Sequence, residues 1–109
     1  MTTDRKLLEA AAKTAGLHVD VRSTIPDYLW VREIKLHGPY RVWNPLTDDG
    51  DALRLAVALR MCVESWGSGA SAVVTVNNRA LVAEPHYGDD PGRATRRAIV
   101  RTAAELVAG

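Results

Sequence analysis

A chain turn, an acidic helix start and an amphipathic helix follow one another without a gap in Trp43-Asn44-Pro45-Leu46-Thr47-Asp48-Asp49-Gly50-Asp51-Ala52-Leu53-Arg54-Leu55-Ala56-Val57. No other stretch constrains the fold as tightly. Several side chains in Thr47-Asp48-Asp49-Gly50-Asp51 can accept hydrogen bonds from the free N–H groups of a first helical turn. Their negative charge also suits the positive end of the helix dipole. Ala52, Leu55, Ala56, Leu59, Val63 and Trp66 then recur at i, i+3, i+4, i+7 spacing. The helix is therefore predicted to continue until Gly67-Ser68-Gly69, with Cys62 inside it as a small core hydrophobe and Leu53, Val57 and Met61 widening its covered face.

The flanking segments read by the same rules. Residues 4–15 form a helix with Leu7, Leu8, Ala11, Ala12 and Ala15 on its apolar face and Gly16 at its left-handed stop. Leu17-His18-Val19-Asp20-Val21-Arg22 alternates as a half-buried strand does, and Tyr28-Leu29-Trp30-Val31-Arg32-Glu33-Ile34 is a second strand. Tyr40-Arg41-Val42-Trp43 is a short third strand or a tail that pairs with the second. Residues 72–76 and 80–83 flank Asn77-Asn78-Arg79 as a tight hairpin, stopped by Pro85. A last helix starts at Asp89-Asp90-Pro91, with Asp as cap and Pro at the first position, and buries Thr95, Ala98, Ile99, Thr102, Ala103 and Leu106.

The expected order is α-β-β-(β)-α-β-β-α. It describes an α+β protein built as an α/β/α sandwich, with one four- or five-strand, mostly antiparallel sheet. A right-handed crossover through the second helix would join Tyr40–Trp43 to Ala72–Val76. At 109 residues the chain is one domain, of a size that hides roughly two-thirds of its unfolded surface. Phe is absent, so three Trp and three Tyr supply the aromatic mass. Each has a polar atom to satisfy, which places Trp30, Trp43 and Trp66 at the core rim.

Two runs carry a resemblance. Trp43-Asn44-Pro45-Leu46-Thr47-Asp48-Asp49-Gly50-Asp51-Ala52-Leu53-Arg54 and Asp89-Asp90-Pro91-Gly92-Arg93-Ala94-Thr95-Arg96-Arg97-Ala98-Ile99-Val100 are similar to a group of small uncharacterised phage and prophage proteins, akin to the phage α-β-α sandwich domain. The resemblance implies that fold and a mobile-element origin, and no activity. Gly92-Arg93 stands where those relatives have an aromatic-Ala pair.

Composition excludes more than it selects. A net charge of +1, from 14 basic and 13 acidic residues, gives no global pull toward nucleic acid. The one cysteine leaves no internal disulfide and fits a reducing compartment. Residues 1–6 lack the apolar run of a signal peptide, and no segment has the roughly 20 apolar residues that span a bilayer. A cytoplasmic, membrane-free protein is expected.

The acids Asp48, Asp49 and Asp51 lack the bidentate Glu that closes a calcium loop, and read as helix caps. His18, His37, His86 and Cys62 do not fall at metal-site spacing. Ser65-Trp66-Gly67-Ser68-Gly69 is neither a nucleophile elbow nor a phosphate loop, since its glycines follow a helix. The candidate binding residues are Arg93, Arg96, Arg97 and Arg101. At 100° per residue, Arg93, Arg97 and Arg101 form one row with Arg96 beside it, able to grip phosphates or an acidic surface. Tyr28 and Tyr40 stand beside bends, where aromatics favour protein contacts.

The expected function is a non-enzymatic phage or prophage accessory protein that binds a host or phage protein, with nucleic acid as the less favoured partner and no cofactor or metal. Two alternatives are an inhibitor of bacterial defence, anti-CRISPR-like, and a small enzyme using His86 or Asp27 in a sheet-edge cleft.

Overall fold

Three helices are set in place by local capping chemistry. The computed structural model describes residues 4–20, 28–33, 39–65, 71–76, 79–85 and 90–108, and only the backbone of residues 64–65, 71–76, 79–85, 91 and 107–108. Helix α1, Asp4–Thr14, buries Leu7, Leu8, Ala11 and Ala12. It stops at Gly16, which adopts φ +74° and donates its N–H to the Lys13 carbonyl at 3.2 Å. Helix α2, Asp49–Ala58, is capped by Asp48, whose Oδ2 accepts from the Asp51 N–H at 2.8 Å. Helix α3, Pro91–Ala108, starts where Asp90 Oδ1 accepts from the Arg93 N–H at 2.9 Å. Each of these ends stands where the capping residues predict it.

The far end of α2 does not. The helix stops at Ala58, and Arg60 turns left-handed at φ 56°. The Arg60 N–H donates to the Val57 carbonyl at 3.2 Å and the Met61 N–H to the Ala56 carbonyl at 2.9 Å. That bond pair is a Schellman stop with arginine where glycine is usual. Cys62 is therefore not a buried helical residue: it opens strand β4, Cys62–Ser65, and is exposed. Leu53 and Val57 are also exposed, at 63% and 68%, because the buried face of α2 is the narrower stripe Asp51, Ala52, Leu55 and Ala56. A non-glycine residue held left-handed is strained. Arg60→Gly is accordingly predicted to raise stability by about 0.5–1 kcal/mol in urea unfolding, strain relief exceeding the added chain entropy.

The strands form two antiparallel three-stranded sheets among the described residues, and not one sheet of four or five. Strands β1 (Leu17–Val19), β2 (Leu29–Glu33) and β3 (Arg41–Trp43) pair in that order, so the third segment is a strand that joins the second. Strands β4, β5 (Ser71–Val76) and β6 (Arg79–Pro85) make the other sheet, with the β5–β6 arms closing at Val76↔Arg79. The expected crossover from β3 to β5 is absent for a simple reason. β4, which periodicity assigns to the helix, pairs with one edge of β5 while β6 takes the other.

Each sheet packs on its own helix, β1 and β2 against α1 and β4–β6 against α3, while α1 and α3 pack on each other. Alanines at the core faces of both helices, Ala11, Ala12, Ala98 and Ala103, are fully buried and suit a close approach. The Thr14 hydroxyl lies 2.6 Å from the Ala103 carbonyl across that contact and 3.1 Å from that of Ala10. On α3, Ala98, Ile99, Thr102 and Ala103 are buried as expected, whereas Thr95 and Leu106 are half-buried. Trp43 departs from the rim position predicted for it. It is 2% exposed in the central cluster, pointing inward from β3 beside Leu29 of β2. Trp30 is 40% exposed, and Trp66 lies outside the described residues.

Candidate functional site

The arginine row of α3 is the first candidate to place. Arg93 is exposed at the start of the helix. Arg96 is not part of an open face: its side chain is 19% exposed, its Nε donates to the Leu46 carbonyl at 2.9 Å and its Nη1 to Asp49 Oδ1 at 2.7 Å. It ties α3 to the turn before α2. Gly92 leaves it room, since a Cβ there would lie 3.1 Å from Arg96 Nη1. Arg97 donates to Asp4 Oδ1 at 3.3 Å and links α3 to the start of α1. Arg101 is half-buried. The four share a side of the helix, but Arg96 and Arg97 act as struts.

The acids at the start of α2 are committed in the same way. Asp51 is 6% exposed; its Oδ2 accepts from the Asn44 N–H at 2.9 Å and its Oδ1 from Arg54 at 2.7 Å. Asn44 Oδ1 in turn accepts from the Leu46 N–H at 2.9 Å, and the Asn44 carbonyl accepts from the Asp48 N–H at 2.9 Å. Asp48, Asp51 and Asp4 border a cleft of about 680 Å³ that also touches Tyr28, Val42 and Arg54. Its carboxylates already serve a helix cap, a turn and an interhelix strut. Among the described residues no group of three or more His, Cys, Asp or Glu side chains stands together as a metal site. His37, His86 and Asp27 lie outside those residues.

The sheet β1–β2–β3 offers a different surface. Leu17, Leu29, Val31 and Trp43 point into the core, so the alternate positions point away from it. Register stacks these outward side chains in two rows across the strands. In one row His18 faces Arg32, whose guanidinium carbon sits 5.1 Å from the Tyr40 ring centroid. His18 and Tyr40 rings are 6.1 Å apart. In the other, Trp30 faces Val42, and the Asp20 N–H donates to the Trp30 carbonyl at 2.8 Å. Tyr28 meets Trp30 edge-on at 6.4 Å. Trp30 and Val42 are 40% and 47% exposed, a directly opposed cross-strand pair left facing outward.

No known protein family, curated protein or solved structure matches the chain. The site therefore has to be judged on its own chemistry. An exposed Trp and an arginine on one sheet face, with a half-buried tyrosine just before each of β2 and β3, have the composition of an interface hot spot: large, amphipathic side chains that lose little entropy when covered. Sequence reasoning places Tyr28 and Tyr40 beside bends and misses the face. The signal is present in the alternation Tyr28-x-Trp30-x-Arg32 and Tyr40-x-Val42, which period two puts on one side. What the sequence does not supply is the register that brings the two segments together. No helix among the described residues is long and apolar enough to cross a membrane.

Proposed function

We propose that this chain is a non-enzymatic binding module whose contact surface is the outer face of β1–β3 and whose partner is a protein. The exposed Trp30–Val42 pair, framed by Tyr28, Arg32 and Tyr40, carries the reading. Covering those rings removes apolar area from water, and the Arg32 guanidinium and the Tyr hydroxyls supply direction. The phage or prophage setting, with a host or phage protein as partner and the bacterial cytoplasm as location, rests on the resemblance of the runs 43–54 and 89–100. Inhibition of a defence system is the specific role that such a setting would suit. The Arg93–Arg101 row is the second candidate surface, favoured by the exposure of Arg93.

A pull-down from host lysate, followed by titration of the captured protein against variants, decides between these surfaces. Trp30→Ala is expected to weaken binding at least about thirtyfold, the effect of losing a hot-spot side chain of about 2 kcal/mol or more. Arg93→Gln with Arg101→Gln leaves the struts Arg96 and Arg97 intact and is expected to change affinity less than about threefold. The reverse ranking moves the site to α3. Capture of nucleic acid, with affinity falling steeply as salt rises, overturns the protein reading.

A further inference from the structure

We infer that α2 binds a second copy of this chain, its exposed stripe Asp49–Leu53–Val57–Arg60 meeting the same stripe antiparallel across a twofold axis. In a helix, residues four apart advance by about 40°, so Asp49, Leu53 and Val57 lie within one narrow sector. Leu53 and Val57 are 63% and 68% exposed in the middle of the stripe. Asp49 stands at its N-terminal end with a side chain 86% exposed, although one oxygen accepts from Arg96. Arg60 stands at the other end, exposed, just past the helix stop. The stripe thus reads acid, apolar, apolar, base.

A twofold interface must be complementary to itself, and this stripe is. The pairs Asp49/Arg60 and Leu53/Val57 share one midpoint, at Leu55 to within one residue. Antiparallel docking about that point sets Leu53 against the partner's Val57 and Asp49 against the partner's Arg60, each twice. Parallel docking would set like charges together. The antiparallel order also brings the negative end of each helix dipole toward the positive end of the other. Between α2 and α3 a mainly apolar groove of about 400 Å³, bordered by Leu53 of the stripe, is lined by Ala52, Ala56, Val63 and Ile99 with Asp49, Thr95 and Arg96 as its polar lining, and gives the partner's side chains a largely apolar wall. Two large apolar side chains per protomer fall short of the roughly 800 Å² per partner of a stable interface. The dimer is therefore weak, with a Kd of about 0.1–1 mM.

Sedimentation velocity and NMR translational diffusion between about 20 µM and 2 mM bracket that range. The wild-type chain is expected to show concentration-dependent association, and Leu53→Asp to abolish it. Asp49→Lys and Arg60→Glu are each expected to weaken self-association at least about tenfold, because both contacts of the dimer then oppose like charges. An equimolar mixture of these two variants is expected to associate again. In the mixed dimer the lysine introduced at position 49 of one chain meets the glutamate introduced at position 60 of the other, and the two unchanged residues, Arg60 and Asp49, meet at the second contact. Circular dichroism checks each fold. If Asp49→Lys fails to fold without its Arg96 bond, Leu53→Asp and Arg60→Glu still carry the test. Trp30→Ala should leave self-association unchanged, which keeps this surface distinct from the β1–β3 face. A wild-type chain that stays monomeric to about 2 mM overturns the inference. So does association that survives Leu53→Asp, or a mixture that associates no better than either variant alone.

Discussion

Replacing Trp43 by alanine is expected to lower folding stability by about 3–5 kcal/mol, the range for removing a large aromatic side chain from a packed core. Trp43 is 2% exposed and joins the cluster that holds Leu7, Leu8, Leu29, Val31 and Leu55. β3 has only three residues, and of these Arg41 and Val42 are exposed, so Trp43 is the side chain by which this strand enters the core. Its loss opens a cavity next to the turn that starts α2, where the neighbouring Pro45 is also fully buried. Trp30, on the adjacent strand but facing outward, provides the contrast. It is 40% exposed, and Trp30→Ala is expected to cost less than Trp43→Ala, about 1–2.5 kcal/mol, because part of its area is already in water. Urea unfolding followed by circular dichroism measures both. Equal losses from the two substitutions would contradict the opposite orientations assigned to them.

The helices show what could be read from the chain and what could not. Helix starts are encoded locally: Asp48, Asp90 and Pro91 act within a turn of themselves, and α2 and α3 both start where those residues put them. Gly16 likewise stops α1 through its own backbone freedom. The end of α2 is different. Leu59, Val63 and Trp66 continue the helical spacing of Ala52 and Leu55, and no glycine or proline interrupts them. What ends the helix is a left-handed arginine, and what claims Cys62–Ser65 is pairing with residues 72–75 farther along the chain. Such pairing is a tertiary effect that local periodicity does not register. One misassigned strand changes the topology among the described residues, because β4 takes the edge of β5 that the expected crossover from β3 would have needed.

The candidate site was legible to the same degree. The arginines of α3 could be put on one side of a helix from their spacing. That Arg96 and Arg97 are bonded to Asp49 and Asp4 could not, since those acids precede them by 47 and 93 residues. Conversely, Tyr28, Trp30 and Tyr40 can each be singled out in the sequence, but the face of β1–β3 that they share cannot. Only register sets His18 beside Arg32 and Trp30 beside Val42.

Asp51→Ala is the second substitution with a large expected effect, about 2–4 kcal/mol of stability. Three acids crowd the start of α2, but they are not equivalent. The Asp48 side chain is 59% exposed and Asp49 is 86% exposed, so losing the Asp48 cap should cost about 1 kcal/mol. Asp51 is the one that turns inward. One of its oxygens accepts from the Asn44 N–H and the other from Arg54. Removing the carboxylate takes from the Asn44 N–H its acceptor in a half-buried turn, and a donor that loses its acceptor away from water costs about 1–3 kcal/mol in addition to the lost charge-assisted bond. The pair with Arg54 contributes little, because the Arg54 side chain is 64% exposed and screened by water, and Arg41 still lies 4.0 Å from the same Asp51 oxygen when Arg54 is removed. Arg54→Ala should therefore cost less than about 1 kcal/mol. Asp51→Asn, which keeps an acceptor for the Asn44 N–H, should fall between the two. Urea midpoints of the three variants, with slopes unchanged, test the order. If Arg54→Ala proved as damaging as Asp51→Ala, the carboxylate would serve the ion pair. The predicted order means that it instead holds shut the Asn44-Pro45 turn that carries the chain from β3 into α2.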